Sequence, residues 1–142
     1  MKYLLDTCAV SEAVKKKPDV GLMKWLSNCD EEAVFISALT IGEIQKGISR
    51  LKDSHRALQL QHWLDQDLQR RFDGRILPVT TDVASTCGAM LGEAEMRGVS
   101  ISAIDGLIGA TALEHNLTVV TRNVDDIAAT RARTLSPWAD IP

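Results

Sequence analysis

The sequence predicts an α/β/α sandwich, in which helices cover both faces of a central, mainly parallel β-sheet. Short apolar, β-rich runs alternate along the chain with longer segments whose apolar residues recur at helical spacing. Such alternation is typical of parallel strands joined by right-handed helical crossovers. The 142 residues are the size of one ordinary domain, and a hydrophobic content of 45% is enough to form a core. We therefore expect a single domain over residues 1–142.

The strands are predicted from five apolar runs. They are residues 2–5, 33–37, 75–79, 117–120 and, as a last short strand, 134–135. After Lys2 the first run contains only Tyr3, Leu4 and Leu5, which favours a central strand buried on both faces. Pro78 indicates that the third strand lies at an edge of the sheet or ends there.

Helical periodicity accounts for most of the chain between these runs. We expect helices over residues 10–17, 22–26, 40–51, 55–72, 81–98 and 104–115, and a short helix or turn over residues 127–133. Thr40 and Thr81 are expected to begin their helices. The helices that carry residues 44–51 and 58–68 look like a hairpin.

Composition narrows the class of protein. The chain contains no apolar run long enough to span a membrane and no signal-peptide pattern, so we expect a cytoplasmic protein without membrane contact. Cys8, Cys29 and Cys87 are widely spaced and form no C-x-x-C pair, which predicts reduced thiols rather than a disulfide framework or a zinc site.

The net charge does not exclude a nucleic-acid partner. The formal charge is −3, whereas proteins that bind phosphate usually carry an excess of Lys and Arg. If four acids hold cations, however, the rest of the chain is slightly positive, and bound divalent ions add to the local positive potential.

Acidic residues stand where predicted strands end or predicted helices begin. They are Asp6, Glu43, Asp105, Asp125 and Asp126. In a parallel sheet these positions share the carboxyl edge, so we expect the side chains to cluster there. Clustered carboxylates without a His or Cys pattern favour Mg²⁺ or Mn²⁺ over zinc, and such a site suits the hydrolysis of phosphodiesters.

Each acid also has a purely structural interpretation. Thr40-x-x-Glu43 and Ser102-x-x-Asp105 match the capping box, in which a first-turn acid accepts hydrogen bonds from backbone N–H groups. The two acids at residues 125 and 126 are ordinary for a turn. Asp6 differs, because an ionisable residue that ends an apolar strand is costly to bury without a partner.

Other catalytic classes find no support. The histidines, His55, His62 and His115, are scattered over helices and suggest no metal triad. The chain lacks G-x-S-x-G, a P-loop and G-x-G-x-x-G. The run after the first strand, Asp6-Thr7-Cys8, also departs from the D-x-D-x-T of phosphoaspartyl hydrolases.

Four strings in order resemble the PIN-domain nucleases, and within them the VapC-like and FitB-like toxins of bacterial toxin–antitoxin pairs. The strings are YLLDTCAVSE at residues 3–12, ISALTIGEIQKGI at 36–48, IDGLIGATALEHNLTVVTRNVDDI at 104–127 and the closing LSPWADIP. The resemblance covers nearly the whole chain. It implies a Mg²⁺-dependent endoribonuclease, in which Mn²⁺ can substitute, with Asp6, Glu43 and Asp105 as metal-binding catalytic acids and Thr121 as a supporting hydroxyl.

The fourth acidic position departs from the family pattern. Family members often carry Asp directly after the Thr-Arg pair, where this chain has Asn123. We expect Asp126 to be the fourth catalytic and metal-binding acid, ahead of Asp125, with Asn123 and Thr7 in supporting roles. A neutral amide oxygen would hold a second metal less tightly than a carboxylate.

The resemblance also implies partners. They are an RNA substrate, a second copy of the chain and a small antitoxin of the VapB or FitA type, through which alone the toxin would contact DNA. The antitoxin tail would cover a groove walled by the helices of residues 44–51 and 58–68. Two alternatives remain: a PIN-like module that only binds or regulates a partner, and a metal-dependent nuclease without a toxin role.

Overall fold

Five parallel strands form the central sheet of the computed structural model, which describes residues 1–139. The strands are β1 (Tyr3–Leu5), β2 (Val34–Ser37), β3 (Ile76–Leu77), β4 (Thr118–Val120) and β5 (Thr134–Leu135). Their order across the sheet is β3-β2-β1-β4-β5. The predicted sandwich is therefore confirmed, with β1 at the centre and β3 at an edge.

The order of the strands reverses at β1. Leu4 lies opposite Phe35 of β2 on one side and opposite Val119 of β4 on the other. The chain thus winds outwards from β1 through β2 to β3, and later returns to the other side of β1 with β4 and β5. In open α/β sheets, the crevice at the carboxyl ends of the two strands beside such a reversal is the usual ligand site.

The helices connect the strands and cover both faces of the sheet. They are α1 (Thr7–Ala13), α2 (Val20–Asn28), α3 (Ala38–Ser49), α4 (Ser54–His62), α5 (Gln69–Arg71), α6 (Thr81–Met96), α7 (Ala103–His115) and α8 (Val124–Ala128). A π-helical segment, Trp63–Leu68, joins α4 to α5, so the helix expected over residues 55–72 is one continuous helical stretch.

Successive side chains along the strands pack into two separate cores, one on each face of the sheet. Leu5 and Val120 belong to the core that α1, α2, α3 and the π-helical segment cover. Leu4 and Val119 point to the other face, into a core shared with α7 and α8. Helix α6 does not complete that second core but packs on α7 through its own apolar cluster, which contains Val83. Burial on both faces explains why the strands are continuously apolar in the sequence.

Several helix boundaries differ from the sequence prediction, among them the starts of α1, α2 and α8, which lie at Thr7, Val20 and Val124 rather than at residues 10, 22 and 127. Helix α3 begins at Ala38 rather than at Thr40, because the hydroxyl of Ser37 accepts a hydrogen bond from the backbone N–H of Leu39 at 3.0 Å. Helix α6 is capped by Thr80 rather than by Thr81. Helix α1 ends at Ala13, before the three lysines, because the chain turns back there.

The predicted hairpin of helices forms between α3 and α4. Gln45 and Gln61 exchange reciprocal side-chain hydrogen bonds of 2.8 Å between the two helices. None of the helices among residues 1–139 is both long enough and apolar enough to cross a membrane.

The C-terminal segment is tied to the start of α2. Trp138 is 4% exposed and packs into the core beneath α1 and α2. The Asp19 carboxylate accepts hydrogen bonds from the backbone N–H groups of Leu22 and Ala139, both at 2.9 Å. A Cβ atom at Gly21 would lie 2.4 Å from the carbonyl oxygen of Pro137, so only glycine allows this approach. The predicted closing role of Ser136-Pro137-Trp138 agrees with these contacts, whereas residues 140–142 of the closing string lie outside the described residues.

Gly109 should be required where α7 crosses the loop after α8. A Cβ atom at this position would lie 2.3 Å from Oγ1 of Thr130, which is 1% exposed and donates to the carbonyl of Ile127. Because this side chain has no room to move, we expect Gly109→Ala to lower the free energy of unfolding in urea by about 1–3 kcal/mol.

A matched glycine on α6 provides the control. A Cβ atom at Gly92 would meet nothing within 4 Å. Gly92→Ala should therefore raise the free energy of unfolding by up to about 1 kcal/mol, through helix propensity alone. Similar effects of the two substitutions would contradict the close packing of α7 against Thr130.

Candidate functional site

The site lies at the carboxyl ends of β1 and β4, where the strand order reverses. Asp6 directly follows β1, and Thr121 directly follows β4. The backbone N–H of Asp6 donates to the carbonyl of Val120 at 3.1 Å, which extends the pairing of the two strands to their last residues. The predicted position of Asp6 at this edge agrees with the structure.

Three donors surround the Asp6 carboxylate. Oδ1 accepts the backbone N–H of Ala9 at 3.0 Å, so Asp6 is the N-cap of α1. The thiol of Cys8 donates to the same oxygen at 2.9 Å. The hydroxyl of Thr121 also hydrogen-bonds to this carboxylate. Asp6 therefore has a structural function as a cap, in addition to any chemistry.

Burial dominates the electrostatics of Asp6, which is 9% exposed. It raises the pKa of the carboxyl above its usual range, while the hydrogen bonds from Cys8, Thr121 and Ala9 act in the opposite direction. The negative charge of Glu43 raises the pKa further, as the smallest contribution. The two carboxylates are therefore close enough to repel each other.

Glu43 is held at the site by Thr7. The Thr7 hydroxyl donates to Oε1 of Glu43 at 2.6 Å and lies 3.2 Å from the hydroxyl of Thr40. Since Ser37 is the N-cap of α3, Glu43 lies in the second turn, and no acid occupies the first. The capping-box interpretation of Thr40-x-x-Glu43 is therefore wrong, as is the expectation that Glu43 lies in the first turn.

Asp105 lies in the first turn of α7 and makes one of the two hydrogen bonds of a capping box. The hydroxyl of Ser102 accepts the backbone N–H of Asp105 at 3.1 Å. Within residues 1–139, the Asp105 carboxylate accepts no hydrogen bond in return. Asn116, in the left-handed conformation at φ 54°, ends α7 just before β4. Since α7 leads into the amino end of β4, its own N-terminus lies towards the carboxyl edge.

The fourth acidic position remains open. The backbone N–H of Asn123 donates to the Thr121 hydroxyl at 2.9 Å, which shapes the loop after β4. Asp125 and Asp126 follow in the first turn of α8, and both side chains are exposed. Within residues 1–139, neither carboxylate has a contact that distinguishes it from the other as a ligand.

The acids do not form a closed ligand set as they stand. Across residues 1–139, no three side chains of Asp, Glu, His or Cys are placed to hold one metal ion together. The negative charge of Glu43 acts on Asp6, and Thr7, which follows Asp6 in the chain, donates to Oε1 of Glu43 at 2.6 Å. The oxygens of these two carboxylates suit a hard cation, and proteins commonly hold Mg²⁺ through one or two carboxylates together with water and substrate phosphate. The chemistry of this pair fits the implied metal, and the ligand roles of all four acids, Asp6, Glu43, Asp105 and Asp126, stay predictions.

Sequence reasoning missed the role of Cys8 at this edge. Besides donating to Asp6, its sulfur accepts the backbone N–H of Arg122 at 3.5 Å and lies 3.9 Å from the Thr121 hydroxyl. Burial, together with the charge of Asp6, raises the pKa of the thiol to about 12, so the group keeps its proton. Its position two residues after the acid, at the start of a helix, was the one available signal.

Asp6→Asn should stabilise the metal-free protein in a pH-dependent way. The pKa of Asp6 is higher in the folded state than in the unfolded state, so the folded protein is favoured when Asp6 is protonated. This contribution to the stability of the fold is fully present below the pKa of the unfolded state. It is lost as the pH rises through the pKa of the folded state. Asn keeps the Oδ1 acceptor without the charge. We therefore expect a higher melting temperature in EDTA at pH 7, and a gain that shrinks towards pH 4.

Asp53 is an exposed N-cap and provides the control for Asp6→Asn. Its carboxylate is exposed and accepts the backbone N–H of Arg56 at 3.1 Å, at the start of α4. Asp53→Asn should change the melting temperature little at any pH. If the Asp6→Asn gain is absent, or grows as the pH falls, burial does not set the electrostatics of the site.

Comparisons with known proteins agree with this geometry. A model of the PIN-domain family matches residues 3–132. The chain is 35% identical to Toxin FitB of Neisseria gonorrhoeae over 137 residues, which covers 96% of this chain and 99% of that protein. It is 29% identical to VapC ribonuclease Y4jK of Sinorhizobium fredii over 135 residues, which covers 95% of this chain and 96% of that protein.

Solved structures are similar over the same length. The crystal structure of FitAcB from Neisseria gonorrhoeae superposes with a TM-score of 0.91 at 34% identity, covering 96% of this chain and 99% of that one. The structure of FitAB bound to an IR36 DNA fragment gives a TM-score of 0.90 at 32% identity, covering 99% and 98%. The chain described here therefore belongs to the PIN-domain family, in its VapC/FitB-like branch.

Proposed function

We propose that this protein is a metal-dependent endoribonuclease that acts as the toxin of a toxin–antitoxin pair, with Mg²⁺ as its cofactor and Mn²⁺ as a substitute. The observation that carries the proposal is the buried Asp6 carboxylate beside Glu43 at the reversal of the strand order. Relatives named as a toxin and as a ribonuclease over the full length of the chain support the same function.

Asp6 and Glu43 would hold the cation directly. Thr7 fixes one oxygen of Glu43, and the donors around Asp6 fix the orientation of its carboxylate. Asp105 would contribute a third carboxylate, since its side chain accepts no hydrogen bond among the described residues. Asp126 is the proposed fourth acid, and the Thr121 hydroxyl and the Asn123 amide support the loop that carries it.

The proposed reaction is hydrolysis of an RNA phosphodiester. When bound by Asp6 and Glu43, a divalent cation would supply Lewis-acid activation of water and charge neutralisation at the phosphate. The protein contributes the placement of the acids and a favourable potential. The N-termini of α3 and α7 both lie towards this edge, and the positive end of a helix dipole favours a phosphate.

A module that only binds a partner is the main alternative. Such a module needs no cation, whereas the proposed site is stabilised by one through mass action. Mg²⁺ should therefore raise the melting temperature relative to EDTA in the nuclease and leave it unchanged in the binding module. Cleavage of RNA without toxicity would instead favour a nuclease with no toxin role.

We further propose a small antitoxin as the partner. The similar FitAB assembly is seen on DNA, which supports a two-component complex that contacts DNA through the antitoxin. A guanidinium from its tail can pair bidentately with clustered carboxylates and so block the cation. A second copy of the chain would place two such sites in one complex.

We propose a groove for the tail that keeps the predicted wall of residues 58–68 but replaces the helix of residues 44–51 by α1 and α2. A concavity of about 510 Å³ opens between α1, α2 and residues 63–72, with Val10, Met23 and Phe72 in its wall. Helix α3 contributes none of its lining, because that helix packs its apolar side against the core. A shallower depression on α4 shares Trp63 with it and includes Leu58, which is 71% exposed. We assign the tail to this continuous surface.

Asp105→Asn tests the catalytic proposal with little interference from folding. The backbone N–H of residue 105, not its carboxylate, bonds Ser102, so α7 should keep its cap. We expect cleavage of total RNA with Mn²⁺ to fall by at least about a hundredfold, at an unchanged melting temperature in EDTA. Marked destabilisation with intact cleavage would favour the capping role instead.

Two neighbouring acids give the matched comparison for the fourth position. Asp126→Ala should raise the Mn²⁺ concentration required for cleavage, and Asp125→Ala should raise it less. Both side chains are exposed in the first turn of α8, so neither change should affect folding. Equal and negligible effects would leave Asn123 or water as the ligand.

Leu58→Asp should weaken binding of the proposed antitoxin without reducing the toxicity of the chain. We expect expression of the chain alone to arrest growth, and co-expression of the small protein encoded beside it to restore growth. Leu58→Asp should keep toxicity and reduce the co-purified antitoxin by about tenfold, since an exposed apolar anchor is replaced by a charge.

Met96→Asp on α6 is the control, because this apolar residue is 89% exposed and distant in sequence from the proposed groove. It should leave co-purification unchanged. Growth that is unaffected by the wild-type chain, with no co-purifying small protein, would remove the toxin part of the proposal.

A further inference from the structure

Cys8 connects the central acid to the loop that follows β4. Its thiol donates to Oδ1 of Asp6 at 2.9 Å, and its sulfur accepts the backbone N–H of Arg122 at 3.5 Å. Thr121 lies on the same loop, and its hydroxyl is 3.9 Å from the sulfur. One side chain thus bridges the first turn of α1 and the residues after β4.

The donors leave little freedom to the Asp6 carboxylate. An ionised carboxylate offers about four lone-pair positions. Ala9, Cys8 and Thr121 donate to three of them, two on the same oxygen. These donors restrain the orientation of the carboxylate, and among residues 1–139 they leave about one lone-pair position for a cation.

We propose that Cys8 is a positioning residue, whose thiol proton orients the Asp6 carboxylate for a divalent cation and couples it to the Thr121-Arg122 loop. The inference rests on the proposed function, since it concerns the same cation. Mg²⁺ and Mn²⁺ prefer oxygen ligands, so the sulfur acts through Asp6 rather than as a ligand. Hydrogen-bond partners of ligating carboxylates typically change metal affinity by 10–100-fold when removed.

The competing role is simple packing. Cys8 is partly buried and lies against the apolar core beneath α1. If its volume alone matters, valine should replace it without loss and serine should be no better than alanine. If the proton matters, serine should replace it and valine should not.

Three substitutions distinguish the roles: Cys8→Ser, Cys8→Ala and Cys8→Val. The measurement is the Mn²⁺ dependence of the melting temperature of the full chain, which yields an apparent Kd without any substrate. We expect Cys8→Ser to stay within about threefold of the wild type, and Cys8→Ala and Cys8→Val to weaken Mn²⁺ binding by at least about tenfold. Cleavage by the alanine variant should recover in part at high Mn²⁺.

Cys29→Ala is the matched control. Its sulfur follows α2, and its one hydrogen bond within the described chain is to the carbonyl of Asp30 at 3.8 Å. This variant should bind Mn²⁺ as the wild type does. Should Cys8→Val fail to fold, the comparison of Cys8→Ser with Cys8→Ala still decides the question.

The outcomes separate this inference from the proposed function. If Mn²⁺ raises the melting temperatures of the wild-type chain and of Cys8→Ala equally, the positioning role of Cys8 is overturned and the proposed function is not. No response of the wild-type chain to Mn²⁺ or Mg²⁺ overturns the proposed metal site, and the positioning role with it.

Discussion

The burial of one carboxylate at the carboxyl end of β1 is the constraint on which the rest of the site depends. Asp6 continues the pairing of β1 with β4 through its backbone and caps α1 through its side chain. The charge nevertheless raises the free energy of the folded state, as the upward shift of its pKa indicates. Neutral donors offset part of that cost, and a cation would offset more. If the proposed cation binds here, its binding is therefore coupled to the stability of the fold.

Three consecutive residues organise the edge because each points to a different neighbour. Side chains at the start of a helix are separated by about 100° around its axis. The backbone of Asp6 bonds the end of β4, and the Thr7 hydroxyl donates to Glu43 on the helix after β2. The Cys8 sulfur accepts a hydrogen bond from the loop after β4. A short run, Asp6-Thr7-Cys8, thus joins the elements that follow three adjacent strands.

The sequence predicted the sheet well because its strands are buried on both faces and therefore carry a strong apolar signal. It misplaced the start of α3, since Ser37 and Thr40 are both good caps and only the end of β2 decides between them. The π-helical segment was not predictable, because its apolar spacing continues that of α4. Cys8 escaped notice because a single cysteine near the core resembles a packing residue, and its role depends on the loop after β4.

The three acids at the edge combine structure and chemistry to different degrees. Asp6 combines a structural role with a proposed chemical one, since its carboxylate caps a helix and lies at the crevice. Glu43 has no capping role, and a threonine from another element orients it, so the residue depends on the tertiary fold. Asp105 is the opposite of Asp6: the Ser102 hydroxyl caps α7 without its carboxylate. A capping motif in the sequence therefore does not identify a structural acid. A structural role in the cap requires that the carboxylate itself accepts a backbone hydrogen bond, and among residues 1–139 the Asp105 carboxylate accepts none.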